Sequence, residues 1–253
     1  MEQSWYFIQL SDTHIVATTH QEFHGVNTYE TLSRAITQIS RLDPPPAFVI
    51  FTGDLINDDD PQSYCVLKHL TDQLPVPTYF AMGNHDLRQT FRQVFLGAQQ
   101  PGSTPYYYTF EAVQYRFIVL DSLVEGEVGG ALDATQLSWL NATLAAAPLR
   151  PTILFVHHPP VPTGIDWLDA HAIANSTELL EILAKNRQVR RVFFGHVHMP
   201  LHITIRGVQF TSVPSTCYQF GDLVVTPKVF AGPPGYGVVV LQGERVSSRV
   251  TYF

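Results

Sequence analysis

Five short polar patches in this chain are made of residue types that bind metal ions: Asp12-Thr13-His14, Gly53-Asp54, Gly83-Asn84-His85-Asp86, His157-His158-Pro159-Pro160 and Gly195-His196-Val197-His198. Carboxylate, imidazole and amide oxygen form a mixed nitrogen and oxygen donor set without thiolate. Such a set suits manganese, iron, zinc or cobalt. The donors read from these patches are Asp12, His14, Asp54, Asn84, His157, His196 and His198. Seven groups are too many for one tetrahedral site but suit two adjacent ions sharing a carboxylate, with Asp54 as the bridge. Extended backbone would aim both ends of Asp12-x-His14, and both of His196-x-His198, the same way. Glycines 53, 83 and 195 would let the chain turn sharply beside them. Two such ions clamp phosphoryl oxygens and activate water, so the indicated chemistry is phosphoester hydrolysis.

Each patch follows a strand-like segment: residues 5–10, 47–52, 78–82, 152–156 and 189–194. In open α/β sheets ligands bind beyond the carboxyl ends of strands, so five such ends would gather the patches on one rim. Helical spacing covers 28–40, 62–73, 133–147 and 175–185, the third with Asp133 as N-cap. The fourth is opened by Asn175 with Glu178 three residues on, close to a capping box. Residues 106–111 and 115–120 read as an aromatic hairpin, and 201–205, 209–213, 236–241 and 245–253 as strands. Residues 222–237 read as irregular. The alternation predicts an α/β fold, and the absence of linkers or repeats predicts one domain over residues 1–253.

With 253 residues, 45% hydrophobic and a formal net charge of −7, the chain gains nothing from general attraction to phosphate backbones. Nucleic-acid binding is therefore disfavoured, and any cation that handles phosphate must sit at the site itself. No apolar run reaches the roughly 18 residues of a membrane span. The start, Met-Glu-Gln-Ser-Trp, lacks the basic and apolar regions of a signal peptide, and Cys65 and Cys217 form no disulfide framework. A cytoplasmic location is expected.

Taken in order, the patches resemble the calcineurin-like metallophosphoesterase superfamily, with its Asp-x-His, Gly-Asp, Gly-Asn-His-Asp/Glu, His and Gly-His-x-His blocks. A closer likeness, to the class III cyclic-nucleotide phosphodiesterases of bacteria, rests on three further segments. These are Gly25-Val26-Asn27-Thr28-Tyr29, Trp167-Leu168-Asp169-Ala170-His171 with Asn175 and Glu178, and Pro214-Ser215-Thr216-Cys217-Tyr218-Gln219-Phe220. The resemblance implies a four-layer α/β/β/α sandwich of two mixed sheets. It implies one ion on Asp12, His14, Asp54 and His198, and another on Asp54, Asn84, His157 and His196. His158 is the alternative to its neighbour His157, which is preferred because adjacent residues in extended chain face opposite ways.

His85 would be the catalytic histidine, with Asn84 beside it meeting charge on the phosphoryl oxygens. The implied reaction is hydrolysis of 3′,5′-cyclic nucleotides, cAMP above all, to 5′-nucleotides, by attack of a hydroxide bridging two metal ions. Other phosphodiesters, such as glycerophosphodiesters, and a metal-bound non-catalytic scaffold are the alternatives. Trp167, His171 and Tyr218 are candidate substrate contacts, whereas His20, His24, His69 and His202 read as incidental. The likeness also suggests a homodimer, with residues 89–108 and the C-terminal strands as contact surfaces.

Overall fold

The apolar runs that end in the five patches have no polar face because each lies between two layers. In Trp5–Leu10, Phe7 clusters with Phe48, Phe117, Phe155 and Phe193, while Ile8 and Leu10 cluster with Leu32, Ile36 and Leu67. In Val189–Phe194, Phe193 joins the first group, while Val192 and Phe194 meet Leu140, Leu179 and Leu183. Period-two alternation thus divides the side chains among three apolar layers, one between two sheets and one beneath each layer of helices. The computed structural model, which describes residues 4–97, 102–221 and 228–253, is an α/β/β/α sandwich.

The first sheet runs in the order Arg245–Tyr252, Gly235–Gln242, Trp5–Leu10, Val49–Thr52, Thr78–Ala81. Its last three strands are parallel and the two C-terminal strands antiparallel. The second runs His202–Ile205, Val208–Ser212, Val189–Phe194, Thr152–Phe155, Tyr115–Val119, Tyr108–Ala112, parallel in its centre and antiparallel at both edges. Phe7 meets Phe193 edge-on, ring centres 5.7 Å apart, and so joins the two sheets across the middle layer.

The helices begin where side chains can satisfy their free N–H groups. Asn27 accepts the Glu30 N–H and Asp133 the Gln136 N–H. The second helix starts one residue before its apolar pattern, because Asp60 caps it and Pro61 fits the first turn. Asn175 does not cap the helix Ser176–Lys185. Its amide instead takes the Leu132 N–H and donates to the Leu132 carbonyl and to Glu178. That side chain ties two loops together, which is why the expected capping box does not form. Within the stretch expected to be irregular, Lys228–Phe230 is a strand that pairs antiparallel with Gln219–Gly221, just before it; residues 222–227 lie outside the described residues, as do 98–101 of the 89–108 surface. No helix of the described residues is long and apolar enough to cross a membrane.

Candidate metal centre

The loops after five parallel strands, three from the first sheet and two from the second, converge at one end of the sandwich. The Asp12 and His14 N–H groups donate to the Gly53 and Asp54 carbonyls (3.1 and 3.0 Å), locking the first two loops side by side. The His196 N–H reaches across the sheets to the Asp12 carboxylate (3.0 Å). Asp54 Oδ1 accepts the His85 N–H (3.0 Å). Asp12, His14, Asp54, His157, His196 and His198 are all buried, while Asn84 and His85 are half-exposed at the mouth.

Two groups of donors result. In the first, His198 Nε2 lies 3.2 Å from His14 Nε2 and 3.4 Å from Asp12 Oδ1. In the second, Asn84 Oδ1 lies 3.3 Å from His157 Nε2 and 3.0 Å from His196 Nδ1. Asp54 Oδ2 stands between them, 3.7 Å from His14 Nε2 and 3.3 Å from His157 Nε2. This is the place a bridging carboxylate would occupy.

Ring hydrogen bonds separate His157 from His158. The Thr52 carbonyl can only accept, so His157 Nδ1 carries hydrogen (2.8 Å) and Nε2 is directed into the centre. The Tyr218 carbonyl fixes His198 in the same way (2.7 Å). Such outer partners orient imidazole ligands at metal sites. His158 also lies close to His157 and His196. Its two nitrogens, however, are engaged by Ser122 Oγ (2.8 Å) and the Val128 carbonyl (3.0 Å).

The centre fits a pair of cations. Asp12 and Asp54 are 0% and 2% exposed, and among the described residues their charge-bearing partners are imidazoles, with no lysine or arginine. Buried carboxylates without compensating charge are costly. Burial raises both carboxyls, yet neighbouring histidines outweigh it: His198 first for Asp12, His157 first for Asp54, and both end below the usual range. His157 is the counterpart. Burial opposes its charge, but Asp54 raises it to about 9, so a proton stands where a cation would balance the same charges. Burial lowers His14 to about 3, and its Nδ1 has no partner among the described residues. Aspartate and neutral imidazole around such a charge deficit make a two-metal site of His and Asp residues.

The backbone departs from the sequence reading at one point. Asp12, His14, Asp54, His196 and His198 are not extended; their φ values of 53°, 43°, 48°, 68° and 51° are left-handed. They account for five of the eight non-glycine residues with positive φ among the described residues. A left-handed residue at each of these positions breaks the alternation of an extended strand, and in this conformation donors only two positions apart reach one centre. Strain of this kind persists where surrounding structure over-determines it. Gly83 serves close approach: a Cβ there would run into the Asp54 backbone N and carboxylate. Gly83→Ala is therefore expected to lower stability by about 2 kcal/mol and Tm by about 4–8 °C, since backbone cannot yield as a flexible side chain can. A thermal melt matching wild type would show slack in that loop.

The three substrate-contact candidates separate. The Tyr218 ring lies 5.3 Å from His14 and 4.5 Å from His198, at the centre's edge. Trp167 is one ring further out, edge-on to Phe220 at 4.9 Å, and Phe220 in turn stacks on His198 at 4.5 Å. His171 bonds the Trp167 carbonyl and lines a separate hollow of about 670 Å³ with Val128 and Gly129. His24, incidental by sequence, is not so in the structure. It forms the tip of the hairpin Glu22–Phe23/Val26–Asn27, its ring 4.8 Å from Tyr218, with Phe23 6.0 Å from His14. The only local signal for that hairpin is His24-Gly25 between Phe23 and Val26, both with positive φ (50° and 76°), as a two-residue hairpin turn requires.

The sequence profile described as calcineurin-like phosphoesterase matches residues 6–200. The chain is 32% identical over 236 residues to a 3′,5′-cyclic-nucleotide phosphodiesterase of Nostoc sp., covering 93% of this chain and 87% of that protein. It is 34% identical over 213 residues to the 3′,5′-cyclic adenosine monophosphate phosphodiesterase CpdA of Escherichia coli, covering 84% and 76%. Among solved structures, a dimetal phosphatase from Danio rerio superposes with a TM-score of 0.71 at 18% identity, covering 98% of this chain and 99% of that one.

Proposed function

The chain belongs to the calcineurin-like phosphoesterase family, and from that premise we propose that it hydrolyses 3′,5′-cyclic nucleotides, cAMP foremost, to 5′-nucleotides. The observation that carries the reading is Asp54 Oδ2 standing between two donor groups, one built on Asp12, His14 and His198 and the other on Asn84, His157 and His196. Two ions of manganese, iron, zinc or cobalt held there would supply positive charge to the phosphoryl oxygens and make water a stronger nucleophile.

In the reaction, water adds to phosphorus, the bond from phosphorus to the ribose 3′ oxygen breaks, and that oxygen takes up a proton. His85 stands at the open mouth with its backbone N–H fixed by Asp54 and its Nδ1 3.4 Å from the Asn57 carbonyl. It donates the proton to the leaving oxygen. Asn84, beside it, presents its amide to the phosphoryl oxygens. The rings of Phe23, His24, Tyr218 and Phe220 wall one side of the centre, and a flat base packs against them. The relatives named as cyclic-nucleotide phosphodiesterases support this substrate class. A cytoplasmic homodimer belongs to the same reading, and the two unpaired cysteines fit a reducing compartment.

A steady-state assay of manganese-loaded protein tests it, with cAMP, cGMP, 2′,3′-cAMP, bis-p-nitrophenyl phosphate and p-nitrophenyl phosphate compared. For cAMP the expected kcat/KM is about 10⁴ M⁻¹s⁻¹ or more, above that of the other cyclic nucleotides. Fast cleavage of the synthetic diester with feeble cAMP turnover would leave the two-metal chemistry and remove the substrate assignment.

A further inference from the structure

The net charge of −7 hides a strong asymmetry. Residues 182–221 contain no Asp or Glu but carry Lys185, Arg187, Arg190, Arg191 and Arg206, leaving 10 basic against 22 acidic residues elsewhere. His196 and His198 within this run belong to the metal centre, but the five cations do not. Arg187, Arg190 and Arg191 lie at the amino-terminal ends of Val189–Phe194 and its neighbour Thr152–Phe155, the end of the sheet opposite the metal centre. None of the three is in an ion pair among the described residues.

They converge on a cavity of about 210 Å³. Its lining also includes the apolar bodies of Tyr115, Pro148 and Leu149, and Glu244 is its one carboxylate. Three guanidiniums against one carboxylate leave an excess of two positive charges. Arg191 is held in place by donating to the Val246 carbonyl, and the Tyr115 hydroxyl donates to the Gly243 carbonyl (2.6 Å). The floor of the cavity is thus fixed by bonds between the two sheets, while Arg187 and Arg190 are exposed. Leu149, 93% exposed, stands at the rim as an apolar side chain with nothing to cover it.

We propose that this cavity is a second binding site, for a small phosphomonoester-type dianion that carries a compact apolar or aromatic group. The guanidinium fork matches the paired oxygens of a phosphoryl group and keeps its charge at every physiological pH. The apolar part of the lining selects against bare inorganic anions. At about 210 Å³ the cavity has room for a small molecule and not for a folded partner. The site is independent of the metal centre and of the substrate assigned to it.

Isothermal titration of the metal-loaded full chain with phenylphosphonate, a non-hydrolysable dianion with an aryl body, tests the proposal. Two binding events are expected. One competes with bis-p-nitrophenyl phosphate turnover at the metals; the other does not, and weakens with salt. Arg187→Glu with Arg190→Glu should weaken the second at least about tenfold, with metal content and diester turnover unchanged. The milder pair Arg187→Lys and Arg190→Lys guards against a folding defect and should lose part of the affinity. Inorganic phosphate should bind this site more weakly than phenylphosphonate does. A single event that vanishes with EDTA, or titration curves indifferent to both variant pairs, overturns the proposal. So does a charge reversal that changes only the mass measured by light scattering, because this end of the sandwich would then be a protein contact.

Discussion

Asp54→Ala is expected to lower cAMP turnover by roughly 10³-fold or more, and the purified variant to carry fewer than two metal ions. The magnitude follows from the carboxylate's position, 3.7 Å from His14 Nε2 and 3.3 Å from His157 Nε2. Among the described residues no other carboxylate is within 4 Å of an imidazole in both donor groups, so its loss opens both at once. Bound ions contribute several kcal/mol to stabilising the transition state. At 1.36 kcal/mol per factor of ten, roughly 4 kcal/mol is about 10³ in rate. The second His85 anchor goes too, since Asp54 Oδ1 holds its N–H.

Stability should move in a telling way. In the metal-free protein the variant breaks the buried Asp54–His157 pair and leaves the His85 N–H without its acceptor, so stability already falls before metal is added. With metal at a hundred times its dissociation constant, wild type gains about 2.7 kcal/mol and the variant almost none. Urea melts with and without manganese, together with metal analysis, read both effects. Two ions per chain and full activity in Asp54→Ala would end the bridging assignment.

His85→Ala is expected to cut cAMP turnover by about 10²–10⁴-fold, the usual contribution of a positioned acid or base, while leaving metal content intact. His85 contacts the centre only through its backbone and its ring edge, 4.9 Å from the His14 ring, and is half-exposed where the donor imidazoles are buried. Its effect should depend on the leaving group. The ribose 3′ oxygen departs as an alkoxide that needs a proton, whereas p-nitrophenolate leaves without one. Turnover of bis-p-nitrophenyl phosphate should therefore fall far less than that of cAMP. Equal losses on both substrates would assign His85 to the phosphoryl oxygens instead, and loss of metal would make it a structural residue of the centre.

What the sequence reveals about this site follows the range of the interactions that build it. The five patches are short, contiguous and each placed at the end of an apolar run, so their gathering on one rim needs only the period of a strand and the polarity of parallel sheets. The left-handed turns at Asp12, His14, Asp54, His196 and His198 were not legible, because aspartate and histidine tolerate that conformation without advertising it as glycine does. Nor was the aromatic wall. Phe23 and His24 meet Tyr218 across almost two hundred residues, and neither segment carries a pattern that refers to the other. Asn175 misled for a related reason: a capping sequence is a local signal, and Leu132, distant in sequence, offered both an N–H and a carbonyl to the same amide. The basic run at 182–221 was visible residue by residue but disappeared into the net charge.

The interlocked phenylalanines between the sheets have a mechanical consequence. Asp12 and Asp54 ride on one sheet, His157, His196 and His198 on the other, so the metal centre straddles a seam. Phe7 wedged edge-on against Phe193 sets the alignment of that seam from below, and ions above would clasp it from the rim. An ion shared by Asp12 and His198 ties off nearly three quarters of the chain as a single loop, and the entropy of closing it grows only slowly with length. Such a clasp therefore resists the parting of the two sheets along their whole length, at a cost in chain entropy little greater than that of a far shorter loop.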